Sequence, residues 1–431
     1  MQQMKKEEIE RIGVRNTLLE NHGNPPPQDI NQNQAKGEAI DSGSALQMFL
    51  NRIPINSIPG LRNSPVLELK TQDCLRDAIW LLHQKNVFGA PIADEELGSD
   101  AIARFSNRYI GFLDFATMVL WCLKEIEASK LKNVDDSEVG VNGFFSIFYE
   151  NPQIAQTKVG ELAKSFLWDP FFPVKLDETL FHILLLISKH PVQVVPVIEP
   201  PNTQVMGFIT QNAVIQLLLQ SSGLEWFDSI ADQPLSAFRF ANEGKAIHVY
   251  GDQSLAEALG ILLENQVGAV AVVNRESNTV VGFMSRHDLH ALLDDEHLFH
   301  KRKELTMEEF IHSETGKAVA DPTIERDLGA LLSAGTLRLR NNFLPRMDTP
   351  VTSKKTDTLK RAMQQVAETK SNFCFLVDES HQLVGMLTLR DIITQFAPPS
   401  IDSNINGGGF FESALEQTGC HMENGTMVCD H

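Results

Sequence analysis

The sequence predicts an α+β fold in which one small unit, a helix, a strand, a turn, a second strand and a further helix, is used four times. Two regularities carry this reading. Apolar residues recur at i, i+3, i+4 and i+7 in Leu75/Ala78/Ile79/Leu82, Leu180/Ile183/Leu184/Ile187, Leu255/Ala258/Leu259/Leu262 and Leu359/Ala362/Met363/Val366, each the buried stripe of one helix. Sixteen residues after each leading leucine comes the centre of a short apolar strand, in Ala90-Pro91-Ile92, Val195-Pro196-Val197, Val270-Ala271-Val272 and Cys374-Phe375-Leu376. The offset is constant in all four, which chance strand–helix units would not share.

Each element then follows in order. Asp73, Asp177, Asp252 or Thr356 lies shortly ahead of each stripe, placed to accept a hydrogen bond from the first free N–H groups of the helix. After the strand and a variable turn, a second strand forms around a glycine: Tyr109–Leu113, Val205–Ile209, Val281–Met284 and Val384–Leu387. Helical spacing then returns, as in Asp288-Leu289 with Leu292-Leu293 or Asp391-Ile392-Ile393. One such unit is too small to cover its own sheet, so neighbours should pair. The expected organisation is a disordered segment 1–45, a first pair 46–222 (repeats at about 50–127 and 158–222), a second pair 223–400 (about 235–297 and 345–400) and a flexible tail 401–431. The polar amino-terminal stretch with Asn24-Pro25-Pro26-Pro27, the insert Asn133–Gly143 and the tail with Gly407-Gly408-Gly409 bury too little to offset the entropy of ordering.

Composition narrows the function. The 431 residues carry 37 Lys and Arg against 56 Asp and Glu, a formal charge of −19, with 42% hydrophobic and 22% charged residues. That balance fits a globular chain of two or three domains and disfavours a nucleic-acid binder. The five cysteines are scattered, without a CxxC pair, which fits a reducing compartment. The apolar stretch Phe115–Leu123 is nine residues, against the roughly 20 that a membrane-spanning helix needs. The amino end has no apolar signal core, so the expected location is the cytoplasm, the nucleus or both.

The most specific pattern is Gly-Φ-Φ-(Ser/Thr)-x-x-Asp, with Φ apolar, at the second strand and following helix. Gly282-Phe283-Met284-Ser285-Arg286-His287-Asp288 and Gly385-Met386-Leu387-Thr388-Leu389-Arg390-Asp391 match it in full. On these residues the units resemble cystathionine-β-synthase (CBS) domains, which pair into Bateman modules. Four such units without a catalytic domain resemble the gamma subunits of the AMP-activated and sucrose-non-fermenting-related protein kinases. Asn107–Gly111, Phe166–Phe171, Leu184–Lys189 and Ser222–Phe227 resemble the plant gamma subunits in particular. The resemblance implies a non-catalytic regulatory subunit of a heterotrimeric energy-sensing kinase. Its partners would be a catalytic alpha subunit and a beta scaffold, and its ligand AMP, ADP, ATP or adenosine.

The motif has its own chemistry. A carboxylate at the start of a helix beside a cleft can accept hydrogen bonds from both ribose hydroxyls, while the Ser/Thr hydroxyl and helix N–H groups face sugar or phosphate. Ser285/Asp288 and Thr388/Asp391 are thus the candidate nucleoside sites; Asp288 and Asp391 also read as plain helix caps. Thr210 keeps the hydroxyl in the second unit, with Ala213 in place of the acid. The first unit has Asp114 where the hydroxyl is expected and Thr117 where the acid is expected. In animal-type gamma subunits cations just ahead of the first strand hold the phosphate, and here Lys370 is the lone cation in those windows (86–90, 191–195, 266–270 and 370–374). Arg286, His287, Arg390 or the turn Lys301-Arg302-Lys303 could substitute, although each also reads as a solvated surface charge. His297/His300 and Cys420/His421/Cys429/His431 are weak metal candidates, and no metal or catalytic residue is expected. The competing function is a structural adaptor, its four repeats a protein-binding platform with little or no nucleotide binding.

Overall fold

The computed structural model describes residues 42–58, 61, 66–94, 108–130, 143–164, 171–199, 202–240, 246–313, 337–340, 344–397, 420–423 and 426–429. The expected disorder at 1–41, the insert 133–142, most of Phe166–Phe171, Asn107 and the Gly407–Gly409 run lie outside these residues.

Helix α1 (Ser42–Leu50) opens the described chain and begins inside the segment expected to be disordered. Leu46 and Leu50 are buried, so the amphipathic turn contributes to the core. Repeat 1 runs β1 (Leu69–Lys70), α2 (Leu75–Lys85), β2 (Gly89–Ala93), β3 (Tyr109–Asp114) and α3 (Phe115–Lys130). Repeat 2 runs β4 (Val174–Lys175), α4 (Leu180–Lys189), β5 (Val194–Glu199), β6 (Asn202–Thr210) and α5 (Gln211–Leu219), with α6 (Glu225–Ala231) after it. Repeat 3 runs β7 (His248–Tyr250), α7 (Leu255–Glu264), β8 (Ala269–Val273), β9 (Val280–Ser285), a 3-10 turn (Arg286–His290) and α8 (Ala291–Asp294), followed by α9 (Met307–His312). Repeat 4 runs β10 (Thr352–Lys354), α10 (Leu359–Thr369), β11 (Phe373–Val377), β12 (Leu383–Thr388) and α11 (Leu389–Phe396). The tail expected to be flexible contains an antiparallel ribbon of β13 (Cys420–Glu423) and β14 (Thr426–Cys429), with Cys420 opposite Cys429.

The four leading leucines occupy equivalent positions, each the first residue of its helix, and all sixteen stripe residues are buried. Each repeat adds a short strand ahead of the first helix that the periodicity missed, because two or three residues are too few to show alternation. It pairs parallel to the central strand, which pairs antiparallel to the last, giving four three-stranded sheets of one order. The expected caps are corrected. Ser254 and Thr358 cap α7 and α10, while Asp73 accepts the Lys70 N–H in the preceding turn and Asp252 pairs with Arg275. The cap position falls one or two residues after those acids, because the chain first makes a turn that uses them.

Packing follows from the alternation after the glycine of the second strand. The next residue (Phe112, Phe208, Phe283, Met386) points to one face, and the one after it (Leu113, Ile209, Met284, Leu387) to the other. On the first face the sheets of repeats 1 and 2 share a cluster, as do those of repeats 3 and 4. Phe112 meets Phe208 edge-on at 5.6 Å and Phe283 meets Phe373 likewise at 5.3 Å, a favourable geometry for aromatic rings. On the second face repeat 1 packs on repeat 3 through α2, α3 and α7, and repeat 2 on repeat 4 through α4, α5, α10 and α11. Each repeat therefore covers one face with one neighbour and the opposite face with another.

The glycine is required where another backbone crosses the strand. A Cβ at Gly282 would lie 2.8 Å from the Met347 carbonyl oxygen and 2.5 Å from Ile311 Cδ1, and the Phe283 N–H donates to that same carbonyl at 2.9 Å. Gly282→Ala is expected to destabilise the protein by about 1–3 kcal/mol, the cost of overpacking a site closed by the Ile311 side chain and the Met347 backbone. Urea unfolding of the variant beside the parent measures it, and an unchanged midpoint would contradict the crossing.

Candidate functional site

The third residue after each glycine starts the following helix, and all four of these residues, Asp114, Thr210, Ser285 and Thr388, line one cavity of about 560 Å³. Its other walls come from the residues ahead of or at the start of each central strand, among them Phe88, Gln193, Gln266 and Asn372. Every repeat contributes, so the site is a product of the packing and not of any one unit. A mostly apolar concavity of this size with a few convergent polar groups is what a small-ligand site looks like.

Ser285 and Thr388 each form a reciprocal cap with the acid three residues on. Asp288 Oδ2 accepts from the Ser285 N–H and hydroxyl, both at 2.7 Å. Asp391 Oδ2 accepts from the Thr388 N–H at 2.9 Å and hydroxyl at 2.6 Å, while Thr388 Oγ1 accepts from the Asp391 N–H at 3.1 Å. This arrangement satisfies donors that a helix start otherwise leaves free. Ser285, Asp288 and Thr388 face the cavity; Asp391 is not among its lining residues. Burial pushes the Asp288 carboxyl up, against the Ser285 hydrogen bonds that act to lower it. Thr210 Oγ1 accepts the Ala213 N–H at 3.2 Å. In repeat 1 the exchanged pair still meets: Asp114 accepts from the Thr117 N–H at 2.6 Å and hydroxyl at 2.9 Å.

The cations correct the reading of solvated charges. Arg286 is largely buried and reaches from repeat 3 into the helix start of repeat 1, its Nη2 donating to Thr117 Oγ1 at 2.5 Å and its Nη1 lying 3.4 Å from Asp114 Oδ2. Arg390 donates from Nε to the Ile187 carbonyl at 3.0 Å and from Nη2 to that of Ser188 at 2.9 Å, so repeat 4 tends the carboxyl end of α4 in repeat 2. Arg302 is buried over the Phe299 ring at 4.4 Å, donates to the Phe299 carbonyl, and burial pushes its pKa down. Lys370 turns back to donate to the Ala367 carbonyl at 3.0 Å. Its φ of 57° places it where Asn86 and Gln266 stand in repeats 1 and 3, also at positive φ. Of these cations Arg286 and Arg390 line the cavity, and Lys370 and Arg302 do not.

Two contacts of the wall were not legible in the sequence. His287 stacks on Phe88 with ring centroids 4.0 Å apart. Asn212 Nδ2 donates to Asn372 Oδ1 at 2.6 Å across repeats 2 and 4. The register of the four glycines had placed Asp114 at the hydroxyl position of the motif, but nothing marks Asn212.

The stretch Leu337–Arg340, between repeats 3 and 4 in sequence, lies against repeat 1. The Phe88 N–H donates to the Leu337 carbonyl at 2.7 Å, and Leu337 lines the cavity. Arg340 binds Asp294, with Nε to Oδ2 at 2.9 Å. His83 Nε2 and His290 Nδ1 lie 2.9 and 2.8 Å from the same carboxylate. Burial acts to raise the Asp294 pKa, but hydrogen bonds from Arg340, His290 and His83 outweigh it and hold the carboxyl well below the usual carboxylate range.

Residues 159–220, 244–295 and 344–397 match the CBS domain family. Three segments of the chain thus match CBS domains. The first repeat lies outside the matched residues, yet its sheet has the order of the others and its central strand pairs in the same way. The chain is 25% identical over 379 residues to the SNF1-related protein kinase regulatory subunit gamma-1 of Arabidopsis thaliana, covering 83% of this chain and 84% of that protein. It is 21% identical over 273 residues to the human 5′-AMP-activated protein kinase subunit gamma-3, covering 59% of this chain and 48% of that one. Among solved structures, a Methanocaldococcus jannaschii protein described as a candidate archaeal homologue of the AMP-activated kinase gamma subunit aligns with a TM-score of 0.52 at 14% identity. That alignment covers 80% of this chain and 100% of that one, and it shows the shared CBS-repeat fold. Among the described residues, no helix is long and apolar enough to cross a membrane.

The folded pKa of Asp294 lies below its unfolded value, so its contribution to stability is present above about pH 4 and is lost as pH falls further. Asp294→Asn is expected to lower stability by ~1 kcal/mol at pH 7, a modest value because the carboxylate is partly exposed and screened. The gap between variant and parent in denaturant titrations should shrink between pH 4 and pH 3; a gap that stays constant would remove Asp294 as the anchor.

Proposed function

We propose that this protein is a non-catalytic, gamma-type regulatory subunit of a heterotrimeric energy-sensing serine/threonine kinase. It binds an adenine nucleotide or nucleoside in the cavity at the meeting of its repeats, and acts with a catalytic alpha subunit and a beta scaffold in the cytoplasm or nucleus. The observation that carries the ligand reading is the convergence of four helix starts, Asp114, Thr210, Ser285 and Thr388, on one cavity. The kinase reading is supported by the likeness to regulatory gamma subunits over most of the chain. A ligand filling that cavity contacts all four repeats at once, so it favours one packing of the repeats over another. It shifts a bound kinase's conformational balance by its differential affinity for the two packings. Ser285, Asp288 and Thr388 are the residues placed to meet the ligand, with Thr210, Arg286 and Arg390 around them, and Asp391 supports through Thr388.

A second reading, the structural adaptor, is favoured by one specific observation: the wall arginines and the motif acids already have protein partners. Calorimetry with AMP, ADP, ATP and adenosine on the full-length chain separates the two. The sensor reading expects saturable binding that weakens at least tenfold in Asp288→Ala, about 1.4 kcal/mol. Silence for every ligand selects the adaptor. Co-purification with an alpha and a beta subunit tests the assembly, and failure to associate with either removes the kinase reading.

A further inference from the structure

The nature of the ligand can be taken further, on the reading that the cavity is a nucleoside-type site. Among the described lining residues the fixed charges are two aspartates, Asp114 and Asp288, and two arginines, Arg286 and Arg390. They balance in number. Both arginines already bind protein acceptors: Arg286 through Nη1 and Nη2 to Asp114 and Thr117, Arg390 through Nε and Nη2 to the carbonyls of Ile187 and Ser188. A phosphate gripped by the Nη atoms of Arg286 would have to draw them away from Asp114 and leave a buried carboxylate without its counter-ion, which is costly in a low-dielectric site. The rest of the polar wall is mostly amides and hydroxyls, including Gln266, Asn212 and Asn372, beside the His287 imidazole.

Asn212 and Arg286 of the wall each hold a buried polar atom with no hydrogen-bond partner among the described residues: Asn212 Oδ1, an acceptor, and Arg286 Nε, a donor. Asn212 is only 3% exposed, and its amide is oriented by the Asn372 side chain, which takes the Nδ2 proton at 2.6 Å. Buried polar groups left unpaired are destabilising, so an acceptor and a donor of this kind in one cavity wall point to a ligand that supplies their complements. A cavity of about 560 Å³ is in the range for a molecule of nucleoside size.

We propose that the cavity selects an uncharged nucleoside, presenting a hydrogen-bond donor to Asn212 and an acceptor to Arg286, over the corresponding phosphorylated forms. Titration calorimetry on the full-length chain with adenosine, AMP and ATP tests this directly. Adenosine is expected to bind at least tenfold more tightly than AMP or ATP. Tighter binding of AMP or ATP overturns this selectivity and leaves the adenine-nucleotide reading standing; no binding of any of the three overturns both. Asn212→Ala is expected to weaken adenosine at least tenfold, and unchanged affinity removes Asn212 from the recognition. Asp114→Asn supplies an independent arm, because it keeps an acceptor for the Thr117 N–H while releasing Arg286 from its carboxylate. In that variant AMP should gain on adenosine by at least tenfold with the far-UV circular dichroism unchanged. A preference that stays where it was in a folded Asp114→Asn protein contradicts the argument from the Arg286–Asp114 pair.

Discussion

A three-stranded sheet with one short strand cannot cover its own two faces, and the whole arrangement answers that constraint. The two residues after each central glycine send one apolar side chain to each face. Each repeat must then be covered twice, and the four satisfy one another: sheet on sheet within repeats 1 and 2 and within 3 and 4, helix on helix between 1 and 3 and between 2 and 4. The next residue along, no longer needed for the core, begins a helix and faces the space left between the repeats. The position of the cavity is thus set by strand alternation and by nothing more specialised.

That dependence explains what the amino-acid pattern revealed and what it concealed. The helical stripes and the offset to the central strand are local signals, repeated four times, and they were legible because burial of Leu75, Leu180, Leu255 and Leu359 leaves little freedom of choice. The first strands were invisible because two residues such as Val174–Lys175 have no period. The caps were misread by one or two positions, since an acid such as Asp73 serves a turn as well as it serves a helix. The hydroxyl and acid of the third and fourth repeats could be found as a motif, and the partners of Arg286 and Arg390 could not. Those partners, Asp114 and the carbonyls of Ile187 and Ser188, lie more than 160 residues away in sequence and are brought near only by the cross-packing of repeats.

The electrostatics of the cavity also differ from what isolated charges suggest. An arginine beside a cleft reads as a ready anion site, but a guanidinium has a fixed number of donors and each can be spent once. Here Nη1 and Nη2 of Arg286 and Nε and Nη2 of Arg390 are engaged in joining repeats. The same side chains thereby serve cohesion, and between them the wall presents amides such as Asn212 and Asn372. Charge count in a sequence is a poor guide to ligand charge when the counterions are supplied from a different repeat.

The exchanged order of Asp114 and Thr117 shows how loosely a helix start constrains its own lettering. One carboxylate and one hydroxyl within a turn suffice to tie the chain, whichever comes first. Reversing them, however, changes where the acid looks. In the third and fourth repeats it folds back on the strand that precedes it, whereas in the first it sits at the end of the strand, reaches forward to Thr117 and is also answered by an arginine from another repeat. A swap of two letters has converted an internal knot into a rivet between distant parts of the chain. A duplicated gene can acquire such a fastening without inventing any new residue.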